Sequence, residues 1–191
     1  MAKQDAGIVN SVKQGIVSAI QGTGEVATAV IETISSTLAA TLTGTAQVGT
    51  ALIAALSDVV RGALQGVMEV GSDLGAATKG IVIGVLRGTK DAGAATLETI
   101  GNVAGAVIKN TAELSGDLGT ATKGLVEGAV EGAKELGLDV TEAASAAANG
   151  ALKAAAAVSS EAGEKVRHAL TGTIAGVKVV LKEPFKKGPP Q

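Results

Sequence analysis

An eleven-residue period runs through this chain and limits its fold more than any other feature. Written as fifteen blocks of eleven over residues 16–180, the sequence leaves columns 1, 4, 5, 8 and 11 uncharged at all 75 positions. Those blocks hold 27 charged residues, of which chance would place about 12 in the five columns. Eleven residues make three turns at about 3.67 per turn, so the stripe stays nearly straight along an α-helix. The columns fall within an arc of roughly 130°, a wide apolar face rather than a narrow coiled-coil seam. Strand alternation does not produce this pattern. The expected class is all-α, with long amphipathic helices over 16–180. An N-terminal segment, 1–15, fits the pattern weakly, and an extended basic tail, 181–191, carries all three prolines and the single Phe.

The predicted apolar face comprises Ile20, Val26, Ile31, Leu42, Val48, Ile53, Val59, Leu64, Val70, Ile81, Leu86, Leu97, Val103, Ile108, Leu114, Leu125, Val130 and Leu136. Column 8 repeatedly holds Thr (23, 45, 78, 89, 111 and 122), so the middle of the stripe is mildly polar. There a hydroxyl can bond to its own helix backbone. Glycines recur at 22-residue steps beside the stripe: Gly22, Gly44, Gly66 and Gly88, then Gly132 after a gap; Gly62 and Gly84; Gly128, Gly150 and Gly172. These are the candidate helix-packing positions, because small residues four apart let two helices approach closely. Each Gly costs a helix interior about 1 kcal/mol relative to Ala, so a lone helix of this sequence is weak and needs outside support.

The stretch 71–94 recurs at 115–138 with 12 of 24 positions identical, a shift of 44, or four elevens. Gly71-Ser-Asp-Leu-Gly, Ser115-Gly-Asp-Leu-Gly and Gly137-Leu-Asp each join a turn residue to an Asp able to cap a following helix. Breaks near 71–75 and 115–119 give helices of about forty residues that fold as hairpins. The alternative is an unbroken rod of roughly 250 Å.

Composition narrows the function classes. There is no Cys, Trp or Tyr and only one Phe, net charge is -2 and mean hydropathy is +0.38. Disulfides, thiolate metal sites and a nucleic-acid footprint are thereby disfavoured. The first residues lack the apolar stretch of a secretory signal. The longest uncharged run, 33–57, carries seven Thr or Ser before Gln47 and is too polar for a confident membrane span. His168 is the only histidine and stands beside Arg167 on the polar face. Glu127, Glu131, Glu135 and Asp139 follow at four-residue steps, which a repeating solvated face explains better than paired acid–base catalysts. No nucleophile, base and orienting group come together, and no phosphate-loop signature is present. No enzyme activity, cofactor or metal is expected. In the tail, Phe185 with Lys182, Lys186 and Lys187 forms a candidate docking peptide.

The runs Ala76-Ala-Thr-Lys-Gly-Ile-Val and Thr120-Ala-Thr-Lys-Gly-Leu-Val-Glu-Gly-Ala-Val-Glu-Gly-Ala-Lys-Glu resemble the eleven-residue repeats of synucleins. The 11/22 periodicity is similar to that of apolipoproteins, lipid-droplet coat proteins and late-embryogenesis-abundant proteins. The resemblance implies helix formation on a lipid surface. This chain departs from it by lacking dense lysines beside the apolar face, which implies weak attraction to anionic lipid.

Two functions are therefore expected. The first is a cytoplasmic protein, peripheral to a membrane, droplet or granule, held there by its apolar face. The second is a self-assembling helical scaffold such as a bundle, tube or filament. It would be homo-oligomeric, or the membrane-proximal stalk of a larger complex, and would dock a partner through its tail.

Overall fold

A computed structural model of the chain describes residues 2–42, 48–179 and 181. The described residues are almost entirely helical: α1 (Ala2–Thr23), α2 (Val26–Leu42), α3 (Val48–Val70), α4 (Leu74–Lys90), α5 (Leu97–Glu113), α6 (Leu118–Leu136), α7 (Val140–Val158) and α8 (Ser160–Ala169). A two-residue antiparallel pair follows, β1 (Thr173–Ile174) with β2 (Val177–Lys178). The expected all-α class is found, and both expected breaks are present, at 71–73 and 114–117. There are further breaks, so the helices run about twenty residues rather than forty. α1 crosses the expected boundary at residue 15, and the helical region ends at Ala169, short of Val180.

The turns explain the 22-residue step. Gly71, Gly93, Ser115 and Gly137 stand 22 apart, and each has a positive φ of 57–70° that ends its helix. In each case the next N–H reaches back to a carbonyl five residues earlier: Ser72 to Val67 (3.1 Å), Ala94 to Thr89 (3.1 Å), Gly116 to Thr111 (2.8 Å) and Leu138 to Ala133 (2.9 Å). This satisfies carbonyls that a helix end otherwise leaves orphaned. Two residues on, Asp73, Asp117 and Asp139 accept from the N–H groups of Ala76, Thr120 and Glu142 at 2.9, 2.5 and 2.8 Å. At the fourth turn Ala95 replaces the Asp, and Thr96 accepts from Thr99 instead, at 3.3 Å. One 22-residue unit is thus a helix and its turn, and 44 residues make a helical hairpin.

The hairpins stack in two rows. α1, α3, α5 and α7 form one row and α2, α4, α6 and α8 the other, since the broadest interfaces join helices two apart in sequence. Helices within a row run parallel: Gly62 and Gly66 of α3 meet Val9 and Lys13 of α1 in the same order. Successive helices join the rows, giving the two-layer form of an α-helical repeat protein. Between the rows lies the core, built from such pairs as Val59 and Leu64, Ile81 and Leu86, Val103 and Ile108, and Leu125 and Val130. α4, central in its row, is buried on nearly every side. Aromatic rings are not needed because the core is a thin sheet of aliphatic side chains between rows. The β1–β2 hairpin covers part of α6 and α7 with buried Ile174.

Candidate binding groove

The glycine stripe is the device that sets helix separation within a row. A Cβ added at Gly62 would lie 2.6 Å from the Val9 carbonyl oxygen, and one at Gly66 would lie 2.9 Å from that of Lys13. At Gly84 and Gly88 it would lie 3.1 and 2.7 Å from the oxygens of Ile31 and Ser35, and at Gly128 2.5 Å from that of Lys79. At Gly132 it would meet the Leu86 side chain at 2.6 Å, and at Gly150 it would collide with the Gly101 carbonyl. Seven of the expected packing glycines therefore do face a neighbouring helix, and that helix belongs to the same chain. Gly80 and Gly124 make the same approach and were not singled out by the sequence pattern. Gly22 faces open space, and Gly172 has a positive φ in the turn before β1, so neither packs helices. Gly44 lies outside the described residues, as do Lys182, Phe185, Lys186 and Lys187.

Most of the expected apolar face is consumed by this packing. Ile20, Leu42, Val59, Leu64, Ile81, Leu86, Val103, Ile108, Leu125 and Val130 are buried, and Val26, Ile31, Val70, Leu97, Leu114 and Leu136 are half-buried at its margins. Val48 begins α3, and its side chain is outside the described set. Ile53 is the exception, at 62% exposed.

Ile53 marks a defect in the repeat. Stepping by 22, the stripe positions are Gly80, Gly84 and Gly88 in α4, and one full repeat later Gly124, Gly128 and Gly132 in α6. Between them, α5 carries Asn102, Ala106 and Asn110. These side chains are larger than the glycines of α4 and α6, and the α3–α5 interface is the thinnest between full-length helices of either row. Asn110 is buried, with its amide donating to the Ala106 carbonyl at 2.9 Å, so it cannot fold away into solvent.

The gap opens as a groove of about 790 Å³ along α5. α3 supplies Ile53, Leu56 and Ser57; α5 supplies Glu98, Gly101, Asn102, Gly105, Ala106 and Lys109; α7 supplies Asn149, Gly150, Lys153, Ala154, Ala157 and Val158. Its surface is mostly apolar, with Gly and Ala on the floor and Ile53 and Val158, the latter 47% exposed, at the lips.

Electrostatics also break symmetry here. Ion pairs join α1 to α3 through Lys13–Glu69 (2.5 Å), α3 to α5 through Arg61–Glu113 (3.0 Å), and α4 to α6 through Lys79–Glu131 (2.6 Å) and Arg87–Glu135 (2.8 Å). The Arg87 hydrogen bonds hold the Glu135 carboxyl below the usual glutamate range, against its partial burial. Twenty-two residues after Arg87 and Glu135 stand Lys109 and Ala157; twenty-two after Lys79 and Glu131 stand Gly101 and Lys153. The acidic partners are thus replaced by Ala157 and Lys153, and neither Lys109 nor Lys153 has an ion-pair partner among the described residues.

The other singled-out polar groups have structural roles or lie in solvent. Glu131 and Glu135 are ion-paired, Asp139 caps α7, and Glu127 and His168 are exposed. Among the described residues no cluster of His, Cys, Asp and Glu could hold a metal, and no helix is long and apolar enough to cross a membrane. No protein-family model matches the chain, and no curated protein matches it.

Proposed function

We propose that this chain is a non-enzymatic helical-repeat scaffold that folds on its own and docks a ligand or partner in the α3–α5–α7 groove. The observation that carries this reading is the location of the apolar stripe. It lies between the two rows of one chain, so the support that each weak helix requires comes from its neighbours in sequence. Laying the stripe on a membrane or granule would mean prising the rows apart and losing that burial. Close helix approach through glycine is likewise satisfied inside the chain, so assembly of several chains would have to use other surfaces.

Far-UV circular dichroism in buffer, repeated with lipid vesicles, tests this reading. A strong helical signal in buffer that vesicles leave unchanged is expected. A weak signal that becomes helical only with vesicles would instead support a lipid-surface coat. Sedimentation should give a species near 18.5 kDa; a filament or large ring would favour the self-assembling scaffold.

A further inference from the structure

We infer that Asn149–Gly150 in α7 is a self-modification site, held shut by the folded helix and released when α7 opens. The chemistry is independent of any groove occupant. The chain has asparagines at 10, 102, 110 and 149, and only Asn149 is followed by Gly. In an open chain a following Gly, with no Cβ and a permissive backbone, lets the next main-chain nitrogen reach the asparagine side chain. The Gly150 nitrogen gives its proton to water and bonds to Asn149 Cγ. The Cγ–Nδ2 bond then breaks, and the nitrogen takes a proton from water and leaves as ammonia. One water opens the resulting five-membered imide on either side, leaving aspartate or, with the main chain routed through Cβ, isoaspartate.

Inside α7 the same atoms are held apart. The Gly150 N–H is committed to the helix ladder. The Asn149 amide donates to the Ser145 carbonyl at 2.7 Å, which turns the side chain back along the helix and away from Gly150. Nor can the backbone shift to close the distance, because Gly150 lies so near α5 that even a Cβ would collide with the Gly101 carbonyl. Yet α7 is weakly held for a full-length helix. Its buried side chains are six alanines and Leu152, so it removes less apolar surface from water than α4 or α6. Among the described residues no ion pair reaches it. Segments with little buried apolar surface open at the lowest cost. Isoaspartate adds a main-chain methylene, so Gly150 no longer meets Gly101, and a chain converted once cannot re-form α7 in its place.

Peptide mapping by mass spectrometry, on the full chain kept in warm, mildly alkaline buffer, tests the assignment. Asn149 should be the first asparagine to convert, at least about tenfold more slowly in the folded chain than in the urea-unfolded one. Ala144→Gly and Ala155→Gly, at buried positions of α7 on either side of the pair, loosen the helix without touching the reacting residues. Each should raise the rate about fivefold. If a variant unfolds outright, urea below the unfolding midpoint of the natural chain supplies the same comparison, and the rate should climb with urea. Amide exchange of the converted chain should show α7 unprotected with α4 and α6 still slow, whereas Asn149→Asp, which has the charge but not the added methylene, should keep α7 protected. Equal rates in the folded and unfolded chains would overturn the assignment. So would conversion of Asn10, Asn102 or Asn110 ahead of Asn149, a rate indifferent to loosening of α7, or full α7 protection in the isoaspartyl chain.

Discussion

Thr111 shows what a single residue contributes in so thin a core. Thr78, Thr89 and Thr122, equivalent by the repeat, each donate to a carbonyl of their own helix: Gly75 at 3.1 Å, Val85 at 2.7 Å and Leu118 at 2.6 Å. Among the described residues the buried Thr111 hydroxyl has no hydrogen-bond partner. A buried hydroxyl without a hydrogen bond is destabilising, so the isosteric Thr111→Val should raise stability by about 1 kcal/mol in chemical denaturation. An unchanged or lowered midpoint would show that the hydroxyl is satisfied in solution. Ser115 is a second weak point, the one non-glycine among the four helix-ending residues, with φ of 57°. An L-residue in that region costs roughly 1–2 kcal/mol, partly offset by the looser unfolded chain that Gly would give. Ser115→Gly should therefore gain about 0.5–1 kcal/mol, checked by the same measurement; a loss would place the strain elsewhere.

At the scale of the helix, the decisive quantity is the distance between neighbours in a row. Gly128→Leu would drive a side chain into the Lys79 backbone, with the first added carbon already 2.5 Å from its oxygen. The α4–α6 interface would have to part, costing about 3 kcal/mol or more. Gly7→Ala, where nothing lies within 4 Å, should instead stabilise α1 by up to about 1 kcal/mol. Thermal melts of the two variants should move in opposite directions; a shared direction would refute the stripe's role. Helix ends and ion pairs within a row also set a pH dependence. The Thr120 backbone and side-chain hydrogen bonds hold the Asp117 carboxyl below its ordinary value of 3.8, and Arg87 holds Glu135 below 4.5. Because both folded-state values are depressed, the stability they add is present above those ordinary values and is lost as pH falls through the lower folded ones. Stability measured from pH 6 down to pH 2 should decline over that acid range, and Glu135→Gln should flatten the decline. A slope unchanged in that variant would mean the pair contributes nothing.

These elements were unevenly legible in the sequence. The turns at Gly71, Ser115 and Gly137 could be read because a turn residue and its capping Asp form a short local motif. The turn near Gly93 was missed because Ala95 stands where the Asp should be and Thr96 takes over the cap. Gly71, Gly93 and Gly137 share the 22-residue step already visible in the stripe glycines, and that signal could have located it. The edge glycines were legible as packing positions, but not whether their neighbour was another chain or the helix two places away. Periodicity along one helix is the same in either case; only the turns decide. The groove could not be read at all, since Asn102, Ala106 and Asn110 mean something only once each helix is known to sit against the one two before it.

At the scale of the whole molecule, those turns convert a pattern that would suit a long lipid-bound helix into a folded body with its own core. The central claim is that this core forms in water without lipid or a second chain. Amide hydrogen exchange of the dilute protein in plain buffer tests it most directly, because local stability is then read helix by helix. The account predicts slow exchange along α4 and α6, with fast-exchanging turns at 71–73, 91–96, 114–117 and 137–139. Uniformly fast exchange along the chain, with protection appearing only when vesicles are added, would contradict it.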